Sequence, residues 1–397
     1  METDCTRHDE PVIAPLPTGT RLLHIGPHKT GTTAIQSALF AAKEAMAEHG
    51  VAFPAATRHP MEAVLAACAR PGMMGDVRPT ERHWQRLVEQ VRASGRHTCV
   101  ISSEFFADAP DHETVARVVA DLGGDRAHIV VTLRPLARIM PSQWQQYVQN
   151  GLRMGYEEWL EHMLLKAPYE QPNPSFWRRH RHDRLVERWV RVVGPERVTV
   201  VVVDDRDRGG LMRTFERLLG LPENLLQPVP DAANRSLTLA ETEMLRNLNK
   251  EFRGNGLPDE LYSQLVRYGA VMHMKNACHP GPHDVKIGTP RWALEAAAGI
   301  GTQMAERIGS TGVRVLGDPA LLSAVPKPAG ETATPEPEGP LIAPEVAAQA
   351  LYGVLAAAAA APIGHTTPTK ARTVHQTPSK ELVRVLGHRC LRKLRRH

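Results

Sequence analysis

What the chain has little of already narrows its class. Its 397 residues include only five cysteines, Cys5, Cys68, Cys99, Cys278 and Cys390, scattered singly without a CxxC pair. That spacing excludes a disulfide framework and a cysteine zinc site, and it fits reduced thiols in a cytosolic protein. Met1 to Glu10 is polar and acidic, unlike the basic and apolar opening of a secretory signal. No run is apolar enough for long enough to span a bilayer. The nearest, Val346 to Ala361, is alanine-dominated and broken by Gln349, so residues 344–361 read as an Ala-rich helix. No internal repeat is visible.

Excess charge is equally scarce outside one segment. From Ser379 to His397, seven Lys/Arg stand against Glu381 alone, so a net charge of +5 leaves the other 378 residues near −1. The body therefore gives no charge basis for nucleic-acid binding. In the tail, Leu382, Leu386, Cys390 and Leu394 recur every four residues among basic side chains. This fits a basic amphipathic helix on an anionic membrane face or an acidic partner, and equally a solvated terminal helix. The expected location is cytoplasmic, with the tail as the one means of reaching the inner membrane surface.

With 42% apolar and 23% charged residues, the chain can bury a sizeable core. From Arg21 to about Asp205, apolar β-rich runs alternate with helical patterns, as parallel βαβ units do. Strands are expected at Leu22–Ile25, Thr98–Ile101, His128–Leu133 and Val198–Val203. Helices are expected at Thr32–His49, Trp84–Ala93, Asp111–Leu122 and Arg184–Val193. Beyond them the chain reads as mainly helical, and Thr238 with Glu241 forms a capping-box signature. Residues 1–19 are expected to lack order, 20–322 to form one α/β domain, 323–343 a Pro-rich linker, 362–378 a second linker and 379–397 the tail.

The segment Leu22-Leu23-His24-Ile25-Gly26-Pro27-His28-Lys29-Thr30-Gly31-Thr32-Thr33 runs from strand through loop to helix. Helix-start amides from Gly31 to Thr33, the hydroxyls of Thr30, Thr32 and Thr33, and the Lys29 charge together suit an anion. The Walker A pattern GxxxxGK(S/T) does not fit, because the lysine precedes the glycine by two residues. Val200 to Asp205 has the look of a Walker B strand, though valine-rich strands ending in Asp are common.

Pro27-His28-Lys29-Thr30-Gly31-Thr32-Thr33 resembles the 5′-phosphosulfate-binding loop of sulfotransferases that use 3′-phosphoadenosine-5′-phosphosulfate (PAPS). It is closest to the bacterial branch, where KTGTT precedes an apolar residue and Gln, as Ile35-Gln36 do here. The chain departs by inserting His28 and by carrying Ala34 where cytosolic animal enzymes have a tryptophan near adenine. The strand Ile129 to Leu133, followed by Arg134 and then Ser142 eight residues on, is similar to that family's 3′-phosphate element.

The resemblance implies a three-layer, P-loop-like α/β fold, with a central parallel sheet flanked by helices and with helical C-terminal additions. It also implies PAPS as co-substrate, a hydroxyl or amine of a carbohydrate, lipid or small molecule as acceptor, and 3′,5′-adenosine bisphosphate as product. Lys29 would meet the leaving phosphate oxygen, Arg134 and Ser142 the 3′-phosphate, and Arg235 would clamp the nucleotide from a late loop. Glu104, at the exit of the strand before Arg134, would take the acceptor's proton, with His28 as rival. Arg178 to His182 is a basic run that reads as a solvated face or as a greeting for an anionic acceptor. Neither an HxxxH-like cluster nor a carboxylate pair at ligand spacing accompanies the loop, so no metal is expected. Two other readings stay open: a degenerate P-loop nucleotide kinase or hydrolase, and a nucleotide-binding protein without chemistry.

Overall fold

The computed structural model describes residues 13–72, 78–166, 172–229, 235–281, 284–326 and 340–360. Each of the four expected runs becomes a strand, β1 (Arg21–Ile25), β3 (Thr98–Ser102), β4 (Ala127–Leu133) and β5 (Val198–Val202), and two short strands that were not expected, β2 (Val51–Ala52) and β6 (Arg314–Leu316), join them. They form one all-parallel sheet in the order β2-β3-β1-β4-β5-β6. Its central strands β1, β3 and β5 are buried at every residue, as strands covered on both faces must be.

Helices fill the connections. Those before β5 are α1 (Thr32–Ala41), α2 (Lys43–Glu48), α3 (Met61–Ala67), α4 (Glu81–Ala93), α5 (His112–Leu122), α6 (Leu136–Gln149), α7 (Tyr156–Leu164), α8 (Ser175–His180) and α9 (His182–Val193). After β5 come α10 (Gly210–Leu219), α11 (Leu239–Gly254), α12 (Asp259–Leu261), a π-wound segment Tyr262–Val271, α13 (Met272–Ala277), α14 (Arg291–Ser310) and α15 (Pro344–Ala360). The chain leaves β1 toward the β2 edge and leaves β4 toward the β6 edge. Right-handed crossovers therefore put α1 and α5 on opposite faces, and they open a crevice between the C-terminal ends of β1 and β4. The fold is a three-layer, P-loop-like α/β fold with helical additions.

Two apolar clusters result. One surrounds the sheet; the other joins α6, α7, α8, α11, the π-wound segment, α14 and α15. Three expectations from sequence need correction here. The helix over 32–49 breaks at Ala42, where α1 ends and α2 begins. Order starts before residue 20, since Ile13 and Leu16 pack on the core and the Leu16 amide donates to the Leu218 carbonyl at 2.9 Å. The Ala-rich helix is no appendage: Ala350 is buried, and Gly353 lies so close to Gly269 that a Cβ there would stand 2.6 Å from the Gly269 oxygen. The N-terminal residues 1–12 and the basic tail fall outside the described residues. Among those described, no helix is long and apolar enough to cross a membrane.

Beneath the crevice, polar side chains cross the sheet. His24 on β1 meets Ser102 Oγ on β3 through Nδ1 (2.7 Å) and Thr132 Oγ1 on β4 through Nε2 (3.1 Å). Burial lowers the His24 pKa to about 3, and His182 and His128 are pushed down to about 4 by the same cause. The unfolded chain takes up protons on these rings below about pH 6.5, and the folded protein does not. Stability is thus fully present above that pH and falls as the pH drops toward 3. Each ring contributes a slope of about 1.4 kcal/mol per pH unit. Thermal unfolding followed by circular dichroism should show a melting temperature declining from pH 7 to 4.5, less steeply in His24→Gln. An equal slope in that variant would assign the decline to other groups.

Candidate functional site

The loop between β1 and α1 turns on two residues with positive φ. Gly31, the N-cap of α1, has φ 93°, and a Cβ there would stand 2.8 Å from Leu211 Cδ2. Lys29 has φ 71°, a left-handed conformation that costs a non-glycine residue roughly 1 kcal/mol. Packing on the inner side is equally tight: a Cβ on Gly26 would meet Thr32 Oγ1 at 2.1 Å. Thr32 donates to the Gly26 carbonyl (3.0 Å), and Thr30 donates to the Pro27 carbonyl (2.7 Å) and touches Thr132 Oγ1 at 3.0 Å. Thr30 was expected to offer its hydroxyl to an anion; it is spent on shaping the loop instead. The first intrahelical bonds of α1 run from the Ala34 and Ile35 amides to the Gly31 oxygen, so the Thr32 and Thr33 amides precede them at the positive end of the helix.

This loop forms one wall of a cavity of about 610 Å³. His28, Lys29, Gly31, Thr32, Thr33 and Glu104 reach it from the sheet side, and Arg134 and Ser142 from the start of α6. The residues that sequence alone grouped thus meet in one place, Thr30 excepted.

The opposite wall was not foreseen. Arg267, Tyr268 and Val271 of the π-wound segment and Met272 and Lys275 of α13 line it, and α6 adds Gln145, Gln146, Gln149 and then Asn150. Ser142, Gln145 and Ser236 also border a second cavity of about 320 Å³, which Arg138, Lys286, Ile287 and Thr289 help to line.

Two of the expected cations are already engaged. Arg134 Nε and Nη2 both donate to Asp205 Oδ1, the former at 2.7 Å, and Nη1 reaches the Lys29 carbonyl at 3.3 Å. Arg134 therefore braces the strained turn while Asp205 holds its fork. Arg235 gives all five N–H groups to protein: to the Lys275, Ser236 and Met274 carbonyls and to both Glu241 oxygens. Glu241 is also the N3 member of the α11 capping box. Arg235 fixes the end of α13 to the start of α11, and it lines the same cavity with its N–H groups already shared among protein acceptors.

Ser142 donates to the Ile139 carbonyl (3.0 Å) and retains its acceptor lone pairs. The basic run is not a solvated face: Arg179 is bidentate to Asp108 (2.8 and 2.6 Å), and His180 and His182 are fully buried.

Electrostatics distinguish the two candidate bases. Burial acts to raise the Glu104 carboxyl, but His59, whose Nε2 lies 3.0 Å from Oε2, outweighs it and holds the group well below the usual carboxylate range. Gln36 Nε2 donates to the same oxygen at 3.2 Å. Glu104 is thus an ionised acceptor pinned on two sides, and His59 is a partner with no motif to announce it. His28 is pushed down to about 3, chiefly by burial and then by the Arg179 charge, and its Nδ1 has no hydrogen-bond partner among the described residues. It stands as a neutral imidazole in the wall. Among the described residues, no group of three His, Cys, Asp or Glu could hold a metal ion.

No protein-family model matches the chain, and no curated protein does. Among solved structures it is similar to a sulfotransferase from Alicyclobacillus acidocaldarius, with 20% identity and a TM-score of 0.37, covering 59% of this chain and 92% of that one. A likeness of that strength carries no argument, so function must be sought in the cavity itself.

Lys29 supplies a measurable handle. Burial first, then the Lys275 charge, lowers its pKa to about 8, while Glu104 acts in the opposite sense. Affinity for pyrophosphate should therefore weaken as the pH rises through about 8, where Lys29 loses its charge. In Lys275→Met that weakening should move to higher pH. Calorimetric titrations between pH 7 and 10 read both, and coincident profiles would show that Lys275 does not act on Lys29.

Proposed function

We propose that the protein is a sulfotransferase that moves a sulfuryl group from PAPS to an acceptor hydroxyl. One observation carries this reading: the loop lysine, the helix-start amides of Thr32 and Thr33, Arg134, Ser142 and the ionised Glu104 all open on one cavity. An anion-binding loop alone would suit any phosphorylated ligand. A second anion locus at Arg134 and Ser142, with a carboxylate across from the lysine, suits a donor with phosphate at both ends and an acceptor that must lose a proton.

In this mechanism the acceptor oxygen attacks sulfur in line with the bond to the 5′-phosphate oxygen. The new O–S bond forms as that S–O bond breaks, and the electron pair leaves on 3′,5′-adenosine bisphosphate. Lys29 and the Thr32 and Thr33 amides meet the charge that develops there. The acceptor proton passes to the Glu104 carboxylate. A loose transition state asks little of the base until the new bond is advanced, so a carboxylate held low by His59 serves as a late proton sink. The adjoining cavity beside Ser142 gives the nucleoside end room, with Arg138 and Lys286 at its rim. For the 3′-phosphate to engage Arg134, it exchanges with Asp205 on the guanidinium.

3′,5′-Adenosine bisphosphate should raise the melting temperature, and ATP with Mg²⁺ should not. The reverse pattern would favour a nucleotide kinase. Lys29→Ala should cut transfer from labelled PAPS by roughly 10²–10³-fold. Glu104→Gln should lower turnover by about 10²-fold at saturating acceptor with nucleotide affinity retained. Undiminished turnover in that variant removes Glu104 from the proton path.

A further inference from the structure

One wall of the cavity carries chemistry that a bisphosphate nucleotide does not require. Along α6, Ser142, Gln145, Gln146 and Gln149 follow at helical spacing, and Asn150 caps the helix, so their polar ends share one face. Ser142 and Gln145 lie at the junction with the second cavity, and Gln145 Nε2 is committed to the Leu237 carbonyl at 2.7 Å. Gln146, Gln149 and Asn150 line the main cavity alone. Among the described residues, their carboxamides make no hydrogen bond with the rest of the protein.

This face shares its cavity with the candidate base, Glu104. His28, whose buried Nδ1 has no partner among the described residues, lines the same cavity. The cations of the cavity, Lys29, Arg134, Arg267 and Lys275, belong to other elements than this face.

On the sulfotransferase reading, on which this inference rests, we infer that the acceptor is a neutral carbohydrate or polyol bound along Gln146, Gln149 and Asn150. A carboxamide offers two donors and one acceptor in a plane, which matches neighbouring hydroxyls that both give and take hydrogen bonds. Only Ala34, Val271 and Met272 among the lining residues are aliphatic, too little surface for a steroid or fatty alcohol. Tyr268, 53% exposed and lining the same cavity, offers a sugar the ring face that the Arg267 guanidinium, 5.0 Å from its centroid, leaves uncovered. The carboxamides would fix which hydroxyl reaches Glu104. A site built to bond hydroxyls discriminates strongly against acceptors that lack them.

The test offers wild-type protein labelled PAPS with cellobiose, maltose, a uronate-containing disaccharide, 2-naphthol or 1-octanol. The shift in melting temperature with 3′,5′-adenosine bisphosphate is measured alongside. Label should enter the neutral disaccharides first. Gln149→Leu and Gln146→Leu should each raise KM for them about tenfold while leaving the nucleotide shift unchanged. Three results overturn the inference: nucleotide binding without transfer to a neutral sugar, preferential labelling of the uronate, naphthol or octanol, or an unchanged KM in both variants. A protein that fails to bind the nucleotide at all overturns the donor reading beneath it instead.

Discussion

The bracing of a left-handed lysine by an arginine from the next strand is the contact on which the cavity depends. Lys29 sits in a conformation that L residues avoid, and Arg134 Nη1 holds its carbonyl from the end of β4. Beneath, Thr30, Thr132, His24 and Ser102 link β4, β1 and β3 by hydrogen bonds, so the loop rests on three strands at once. Without that bracing the Thr32 and Thr33 amides and the Lys29 ammonium lose their common direction. Arg134 therefore both lines the cavity and shapes the loop beside it.

The cavity owes its place to the topology and its charge to two different clusters. The sheet contributes Lys29, Glu104 and Arg134, and the helical cluster contributes Arg267 and Lys275. Like charges gathered around a partly buried space raise the cost of keeping each of them protonated. Burial does most to lower the pKa of Lys29, and the Lys275 charge adds to it. Asp205 relieves part of that cost at Arg134, and Glu104 part of it at Lys29.

The legible portion was whatever depends on neighbours in sequence. The strands announced themselves as apolar runs, the loop as a local motif, and Arg134 with Ser142 as a strand end and the following helix. Glu104 was legible because the exit of β3 must lie near the exits of β1 and β4 in a parallel sheet. His59, Arg267 and Lys275 had no such frame: they arrive from a loop and from a helix that packs back across the crevice. The carboxamide face of α6 was written at helical spacing and went unread, because glutamines on a helix ordinarily face water. The partner of Arg235 is legible too: the capping-box Glu241 has an oxygen left for a nearby guanidinium.

The contact between Gly269 and Gly353 bears on how rigid this enclosure is. The π-wound stretch runs for ten residues, and three of them, Arg267, Tyr268 and Val271, line the cavity. Here α15 lies against its back at backbone distance, with no side chains between the two glycines to act as a cushion. Such a joint transmits displacement as a hinge pin does. The width of the cavity is then set from outside, by a helix that contributes no lining residue, and substitutions along α15 would be felt as altered fit inside.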